Sequence, residues 1–242
     1  MLRFDHKNVK TETKQNAGDL LTAADLASEK VIIDTIKQIF PDDVVMSEES
    51  SDYKKMLQQG TASFTGWVTD PIDGTNNFKR GFNYSAISLA YVDKGEVLLG
   101  GVLNPYNGDT YIAEKHRGAT LNGQNISVGN AKAFDMGTRV CTCNTYEEND
   151  NRNIRMLLNL GKTWFDVQGS AVLAMCDAAC GKFDLFFHDG LKPWDNAAAF
   201  LIAKEAGAKI VGLDGQAVDW TSPEILVGNA DLVGLFVSKN KP

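Results

Sequence analysis

Features that would commit this chain to a membrane, a disulfide scaffold or a nucleic-acid partner are scarce. No apolar run approaches the ~18 residues of a membrane span, and the start, Met1-Leu2-Arg3-Phe4-Asp5-His6-Lys7, lacks the apolar core of a secretory signal. A cytoplasmic protein without membrane contact is expected. There are only four cysteines, as Cys141-Thr142-Cys143 and Cys176…Cys180, and neither spacing is a zinc-ribbon or redox CxxC pattern. Buried free thiols in a reducing cytosol are the expectation. Positive charge is in deficit, with 24 Lys and Arg against 31 Asp and Glu and a net charge of −7. That balance argues against a broad nucleic-acid footprint. An acidic protein that handles phosphorylated substrates must supply positive charge locally, and bound divalent metal is a ready source. No repeat, low-complexity tract or Pro/Ser linker divides the chain.

What is present suffices for a substantial core. The 242 residues are 43% hydrophobic and 23% charged, as in soluble globular proteins, and make one large domain or two small lobes sharing an interface. Thr22-Ala23-Ala24-Asp25 reads as a helix start, with Thr22 as cap and Asp25 in the first turn. Ile32, Ile33, Ile36, Ile39 and Phe40 follow at helical spacing, and Pro41 ends the run. Val44-Val45-Met46 reads as a short buried strand. From Tyr84 to Glu114, apolar stretches alternate with turns at Asp93-Lys94-Gly95 and Asn107-Gly108-Asp109, which predicts antiparallel strands. Beyond residues 130–140 the rhythm changes. Strands are expected at Val140–Cys143, Trp164–Val167 and Phe183–Phe187, and helices at Arg152–Leu160, Ser170–Cys180 and Asp195–Ala206. The reading is layered α+β, in two closely packed lobes.

The most informative segment is Asp70-Pro71-Ile72-Asp73-Gly74-Thr75, which closes the apolar run Phe64-Thr65-Gly66-Trp67-Val68-Thr69. It places two carboxylates three residues apart where a strand ends and a Gly-Thr turn begins. Mg²⁺ takes oxygen ligands, often from one or two carboxylates plus substrate phosphate. A helix starting at Gly74-Thr75 would offer backbone N–H groups to an anion. Four further features share this logic: Lys14…Asp19…Thr22…Asp25 ahead of a helix, Glu48-Glu49 at a strand end, Gly169-Ser170-Ala171 as a small-residue turn, and Trp194-Asp195 at a helix start. Each has a plainer reading. Asp25 and Asp195 could merely complement helix dipoles, Glu48-Glu49 could be a solvated loop, and Gly169-Ser170-Ala171 a tight turn with a cap. Together, however, Asp25, Glu48, Asp70, Asp73 and Asp195 all lie at element ends, where loops assemble sites on a rigid scaffold. No Ser or Cys stands in a recognisable nucleophile motif. Asp70 and Asp73 have two intervening residues, unlike the Asp-x-Asp of phosphatases that use a covalent aspartate. Direct attack by water is therefore preferred.

Trp67-Val68-Thr69-Asp70-Pro71-Ile72-Asp73-Gly74-Thr75-Asn76-Asn77-Phe78 resembles the signature of the inositol monophosphatase family, and Trp194-Asp195 through Ala208 resembles its C-terminal signature. Lys14…Asp25 and Ser47-Glu48-Glu49-Ser50 match two further blocks in order and spacing. The resemblance runs from about Lys14 to Asn229. It implies a layered αβαβα sandwich of the sugar-phosphatase type, as one domain over residues 1–242 with lobes of about 1–135 and 136–242. It also implies two to three Mg²⁺ ions, held by Glu48, Asp70, the Ile72 carbonyl, Asp73 and Asp195. Glu48, Thr75 and Asp25 would orient and deprotonate the attacking water. Asp73, Gly74, Thr75, Gly169, Ser170, Ala171, His188 and Asp195 would contact the substrate. A homodimer and inhibition by Li⁺ are implied as well.

The resemblance breaks at one position of consequence. Family members usually carry a Glu seven residues before the Trp-Asp aspartate, where it contacts inositol hydroxyls; here that residue is His188. A histidine turns an acceptor-only carboxylate into a donor–acceptor and can gain a charge near neutral pH; its plainer reading is an exposed loop residue, and Asp189 could substitute for it. Family members also carry a longer helix ahead of the Lys14 block, and Ser51 to Thr65 reads as a loop near the site. The expected function is Mg²⁺-dependent hydrolysis of a small phosphate monoester, inositol monophosphate first. Fructose 1,6-bisphosphate, histidinol phosphate and NADP are the alternatives, and a regulatory binding protein on the same fold is the alternative of another class.

Overall fold

The computed structural model describes the backbone of residues 11–13, 20–50, 63–144 and 152–240, with side chains from residue 23 onward in those spans. Lys14, Asp19 and most of the Ser51-to-Thr65 loop lie outside them. β1 (Thr11–Thr13) and β2 (Leu20–Thr22) pair as an antiparallel ribbon that runs straight into α1 (Ala23–Ile39). Helix α1 ends before Pro41, and the Lys37 ammonium closes the end by donating to the carbonyls of Pro41 at 3.1 Å and Asp43 at 2.6 Å.

A seven-stranded sheet follows, in the order β3 (Val45–Ser47), β4 (Gly66–Asp73), β5 (Ala86–Asp93), β6 (Glu96–Leu103), β7 (Thr110–Glu114), β8 (Ala119–Leu121) and β9 (Gln124–Asn125). β3 lies parallel to β4, and the rest is an antiparallel meander. β5 alternates buried and half-buried residues along its length, whereas β4 is buried nearly throughout. The contrast follows from cover: α1 packs on β4 from one side and α5 (Pro193–Glu205) from the other. The short helix α2 (Thr75–Arg80) continues from β4.

The second sheet runs β11 (Trp164–Gln168), β10 (Arg139–Cys143), β12 (Leu185–His188), β14 (Ile225–Gly228), β13 (Lys209–Val211). β10, β11 and β12 are parallel, and β14 runs against β12. Helices α4 (Ala171–Ala179) and α5 lie between the two sheets, while α3 (Arg152–Leu158) and α6 (Ala230–Lys239) cover the far face of the second. The result is the expected αβαβα sandwich.

One apolar cluster crosses the seam, from Val68 and Ala90 through Leu173, Ala198 and Ile202 to Phe186 and Val227. Alanines make this possible. A Cβ on Gly100 of β6 would stand 2.8 Å from the Ala198 carbonyl, so α5 rests directly on the sheet backbone. A second cluster seals the far face, with Leu157, Leu185, Phe187, Leu232 and Phe236 fully or nearly fully buried. Each such side chain contributes about 1.5–3 kcal/mol by leaving water. Cys141, Cys143 and Cys176 are buried free thiols. Helix α4 is pinned near its C-terminal end, where Asp177 accepts from the hydroxyls of Tyr84 at 2.9 Å and Tyr111 at 2.8 Å and from Lys182 at 2.9 Å.

β12 starts two residues later than the apolar pattern predicts. The backbone N–H of Phe183 closes the end of α4 on the Asp177 carbonyl, which takes Phe183 out of the strand. Among the described residues no helix is long and apolar enough to cross a membrane.

Candidate metal centre

β4 brings Asp70 to the end of the sheet and there departs from regular pairing, with a register shift between Asp70 and Asp73. Asp70 Oδ1 accepts from the Ile72 backbone N–H at 2.9 Å, so the carboxylate shapes its own turn. Gly74 then adopts φ +85°, the left-handed conformation that glycine enters without strain, and caps α2. Thr75 opens α2. Its hydroxyl lies 3.2 Å from Asp25 Oδ1 and 3.1 Å from the Ile72 carbonyl. Both neighbours are acceptors, so the single Thr75 proton is committed to them and an oxygen lone pair stays available to accept. Asp25 is fully buried in the first turn of α1, and the Ser28 hydroxyl fastens that helix to the Pro71 carbonyl at 2.9 Å.

The other two layers supply the remaining groups. Ser170 caps α4 by accepting from the Leu173 N–H at 3.2 Å and donates its hydroxyl to Asp73 Oδ2. The Val172 N–H donates to the same oxygen at 2.9 Å. The N-terminus of α4 thus grips Asp73. Asp195 sits at the third position of α5, behind Pro193, and Oδ2 accepts from the Lys192 N–H at 2.7 Å in a capping box. The plain reading of Asp195 as a helix-start carboxylate holds, since it caps the first turn of α5.

Asp70, Asp73 and Asp195 each bring one carboxylate oxygen within 4.8 Å of the other two. Burial, and then the charges of Glu48, Asp73 and Asp195, hold Asp70 well above the usual carboxylate range. Burial pushes Asp73 up to about 7, even though the Ser170 hydroxyl and the Val172 N–H oppose the shift. Asp195 is raised by desolvation of its carboxyl, then by Asp73 and Glu48. Three acids crowded into low dielectric resist ionising together unless a cation balances them. Their hard oxygen donors suit a divalent ion such as Mg²⁺. Glu48 stands outside this trio, at the end of β3, but hydrogen-bonds Asp70 and raises it.

The sequence-predicted substrate segments also meet. A Cβ on Gly74 would fall 2.8 Å from the Gly169 carbonyl and 3.2 Å from Ser170 Cβ, and one on Gly169 would collide with the Asn77 amide at 2.6 Å. Ala171 is buried as the first residue of α4.

His188 needs correction. It is 7% exposed, at the end of β12 rather than in an open loop, and burial lowers its pKa to about 4, so it is neutral near pH 7 instead of gaining a charge. Asn153 of α3 donates to His188 Nδ1 at 2.9 Å and to Asp189 Oδ1 at 2.8 Å. No sequence pattern marks Asn153, which lies in another element 35 residues away. Ser28 was likewise unmarked.

An αβαβα sandwich of the sugar-phosphatase type with an acidic centre at the seam of its layers defines the class. The chain belongs to the inositol monophosphatase family, whose model matches residues 1–240. It is 30% identical over 243 residues to the Nus factor SuhB of Pasteurella multocida, covering 99% of this chain and 89% of that protein. It is 32% identical over 223 residues to the fructose-1,6-bisphosphatase/inositol-1-monophosphatase of Thermotoga maritima, covering 90% of this chain and 81% of that one. The crystal structure of the extragenic suppressor protein SuhB of Bartonella henselae superimposes with a TM-score of 0.88 at 26% identity, over 97% of this chain and 89% of that chain.

Proposed function

We propose that this chain is a Mg²⁺-dependent phosphatase that hydrolyses a small phosphate monoester, inositol monophosphate first, by attack of activated water. The observation that carries the reading is the convergence of Asp70, Asp73 and Asp195 beside the Thr75–Asp25 hydrogen bond. Glu48, Asp70, the Ile72 carbonyl, Asp73 and Asp195 would hold two to three ions. When bound, such ions lower the pKa of water, polarise phosphoryl oxygens and stabilise a leaving alkoxide. The protein's own part is positional. Thr75 Oγ1 accepts a hydrogen bond from the attacking water while donating its own to Asp25, Glu48 takes up the one proton the water loses, and the departing alkoxide takes a proton from solvent. The backbone N–H groups of Gly74 and Thr75 hold phosphate oxygens. Gly169, Ser170, Ala171 and His188 line the side where the alcohol portion sits. We place the enzyme in the cytoplasm as a homodimer.

The test is phosphate release from inositol 1-phosphate, fructose 1,6-bisphosphate, histidinol phosphate and NADP with Mg²⁺, repeated with EDTA. Release that requires the metal is the expected result; silence across the panel with metal titrated in excess would end the reading. A second reading, a regulatory binding protein on this fold, is favoured by the Nus-factor name of the Pasteurella multocida relative. It predicts partner binding that survives Asp70→Asn.

A further inference from the structure

Asn153 is 2% exposed, and its amide nitrogen serves two neighbours. Nδ2 donates to Asp189 Oδ1 at 2.8 Å and meets His188 Nδ1 at 2.9 Å. The opposite orientation of the amide would set Asn153 Oδ1 against the Asp189 oxygen, acceptor to acceptor. Asp189 is itself placed from outside, by Arg152, whose guanidinium lies 3.8 Å from Asp189 Oδ2 and also pairs with Glu224. Among the described residues Asn153 Oδ1 has no hydrogen-bond partner, so the residue is held by its two N–H bonds. An amide N–H can meet a ring nitrogen only where that nitrogen accepts. His188 Nδ1 therefore carries no proton, and the ring proton is on Nε2. Nε2 has no partner among the described residues and is not sealed among the buried unpaired atoms.

Alternation along β12 puts His188 on the same face as Phe186, opposite Ile225, and both of these belong to the cluster between the two sheets. On the adjacent strand β10, Cys141 pairs with Phe186, and Cys143, two residues further on, belongs to the same cluster. Cys143 lies within reach of the charges of Asp73 and Asp195. The neighbouring parallel strand β11 leads, at the same end, into Gly169 and Ser170.

We infer that Asn153 locks His188 as the neutral Nε2–H tautomer, so that this side of the site offers a hydrogen-bond donor and selects phosphate monoesters whose far group is an acceptor, a hydroxyl or a carboxylate, over those ending in an ammonium. The inference rests on the proposed phosphatase reading for its substrate class, though not for the tautomer. Asn153 is a positioning residue, and His188 the group that touches substrate.

Two arms test it. The ¹⁵N spectrum of the imidazoles at neutral pH reads the tautomer directly; the chain has three histidines, and His188→Gln assigns the signal. An Nε2–H ring is expected, and Asn153→Asp, which presents an acceptor to Nδ1, should move the proton to Nδ1 or charge the ring. An Nδ1–H or charged ring in the unmodified protein overturns the inference, whether or not Asn153→Asp folds. The second arm compares kcat/KM for inositol 1-phosphate and histidinol phosphate, with p-nitrophenyl phosphate as a substrate lacking either end group. His188→Glu, which restores an acceptor, should shift the ratio toward the ammonium substrate by ~10-fold or more, chiefly in KM. An unmoved ratio with p-nitrophenyl phosphate still hydrolysed overturns the substrate class. No Mg²⁺-dependent hydrolysis of any of these substrates or of the panel above by the unmodified protein overturns the phosphatase reading, and the substrate class with it.

Discussion

Gly74 and Gly169 meet back to back, with 2.8 Å between the point where a Gly74 Cβ would stand and the Gly169 carbonyl oxygen. The contact joins the turn after β4 to the turn before α4, and so sets the distance between Asp73 and its hydroxyl and N–H donors on α4. Gly74→Ala meets two penalties at once: a left-handed φ, worth about 1–2 kcal/mol, and displacement of the facing backbone. A loss of roughly 2–4 kcal/mol in denaturant unfolding is expected, with weakened metal binding by calorimetry. A variant as stable as the parent would show that the contact is slack.

Asp70→Asn keeps the oxygen that accepts from Ile72 and removes one charge from the crowded trio. Without metal, its stability should equal or exceed that of the parent, because burial and neighbouring acids already disfavour the Asp70 anion. Turnover should fall by ~1,000-fold or more, the scale of losing several kcal/mol of metal-derived stabilisation. Retained activity would remove Asp70 from the metal ligands.

The raised carboxylates dictate a pH response with a definite sign. Asp73 titrates at about 7 in the folded chain against 3.8 as an ordinary carboxylate, so the folded state binds more protons across that interval. Its contribution to stability is complete below pH 3.8 and is lost as pH rises through about 7. In EDTA this group should therefore make the melting temperature decline as pH rises from 3.8 to about 7 and level off above it. Added Mg²⁺ should reverse the decline, with proton release measurable in weakly buffered titrations. A flat profile in EDTA would mean that the trio is ionised without help. His188 acts in the opposite sense: lowered from 6.5 to about 4, it withdraws stability as pH falls through that window.

We propose that the chain is one domain with lobes near residues 1–135 and 136–242, whose described parts share an apolar cluster across both sheets. Calorimetry should then show one cooperative transition, and gel filtration with light scattering a dimer. Two resolved transitions would separate the lobes.

Much of this was legible because strong local signals carried it. Asp93-Lys94-Gly95 places left-handed Lys94 and Gly95 in a tight hairpin, and the Trp67-to-Phe78 stretch marks its own strand, turn and helix. Other local signals are as legible. Asn122-Gly123, both at positive φ, makes the β8–β9 hairpin, and Asn229 caps α6 with Asp231 in the first turn. β13 and β14 are only a few residues long, too short for periodicity to speak. The surroundings of His188 lie beyond any local reading, since Asn153 reaches it from an element 35 residues away.

The acidic centre draws on both halves of the molecule: Asp70 and Asp73 from the first sheet, Asp195 and the Ser170–Val172 grip from the helices that separate it from the second. A cation bound there would be a keystone. Loosening either half would open the ring of carboxylates, and filling the ring would draw the halves together by the free energy of binding. Metal content per chain would then gauge the integrity of the entire molecule, readable by elemental analysis before any substrate is added.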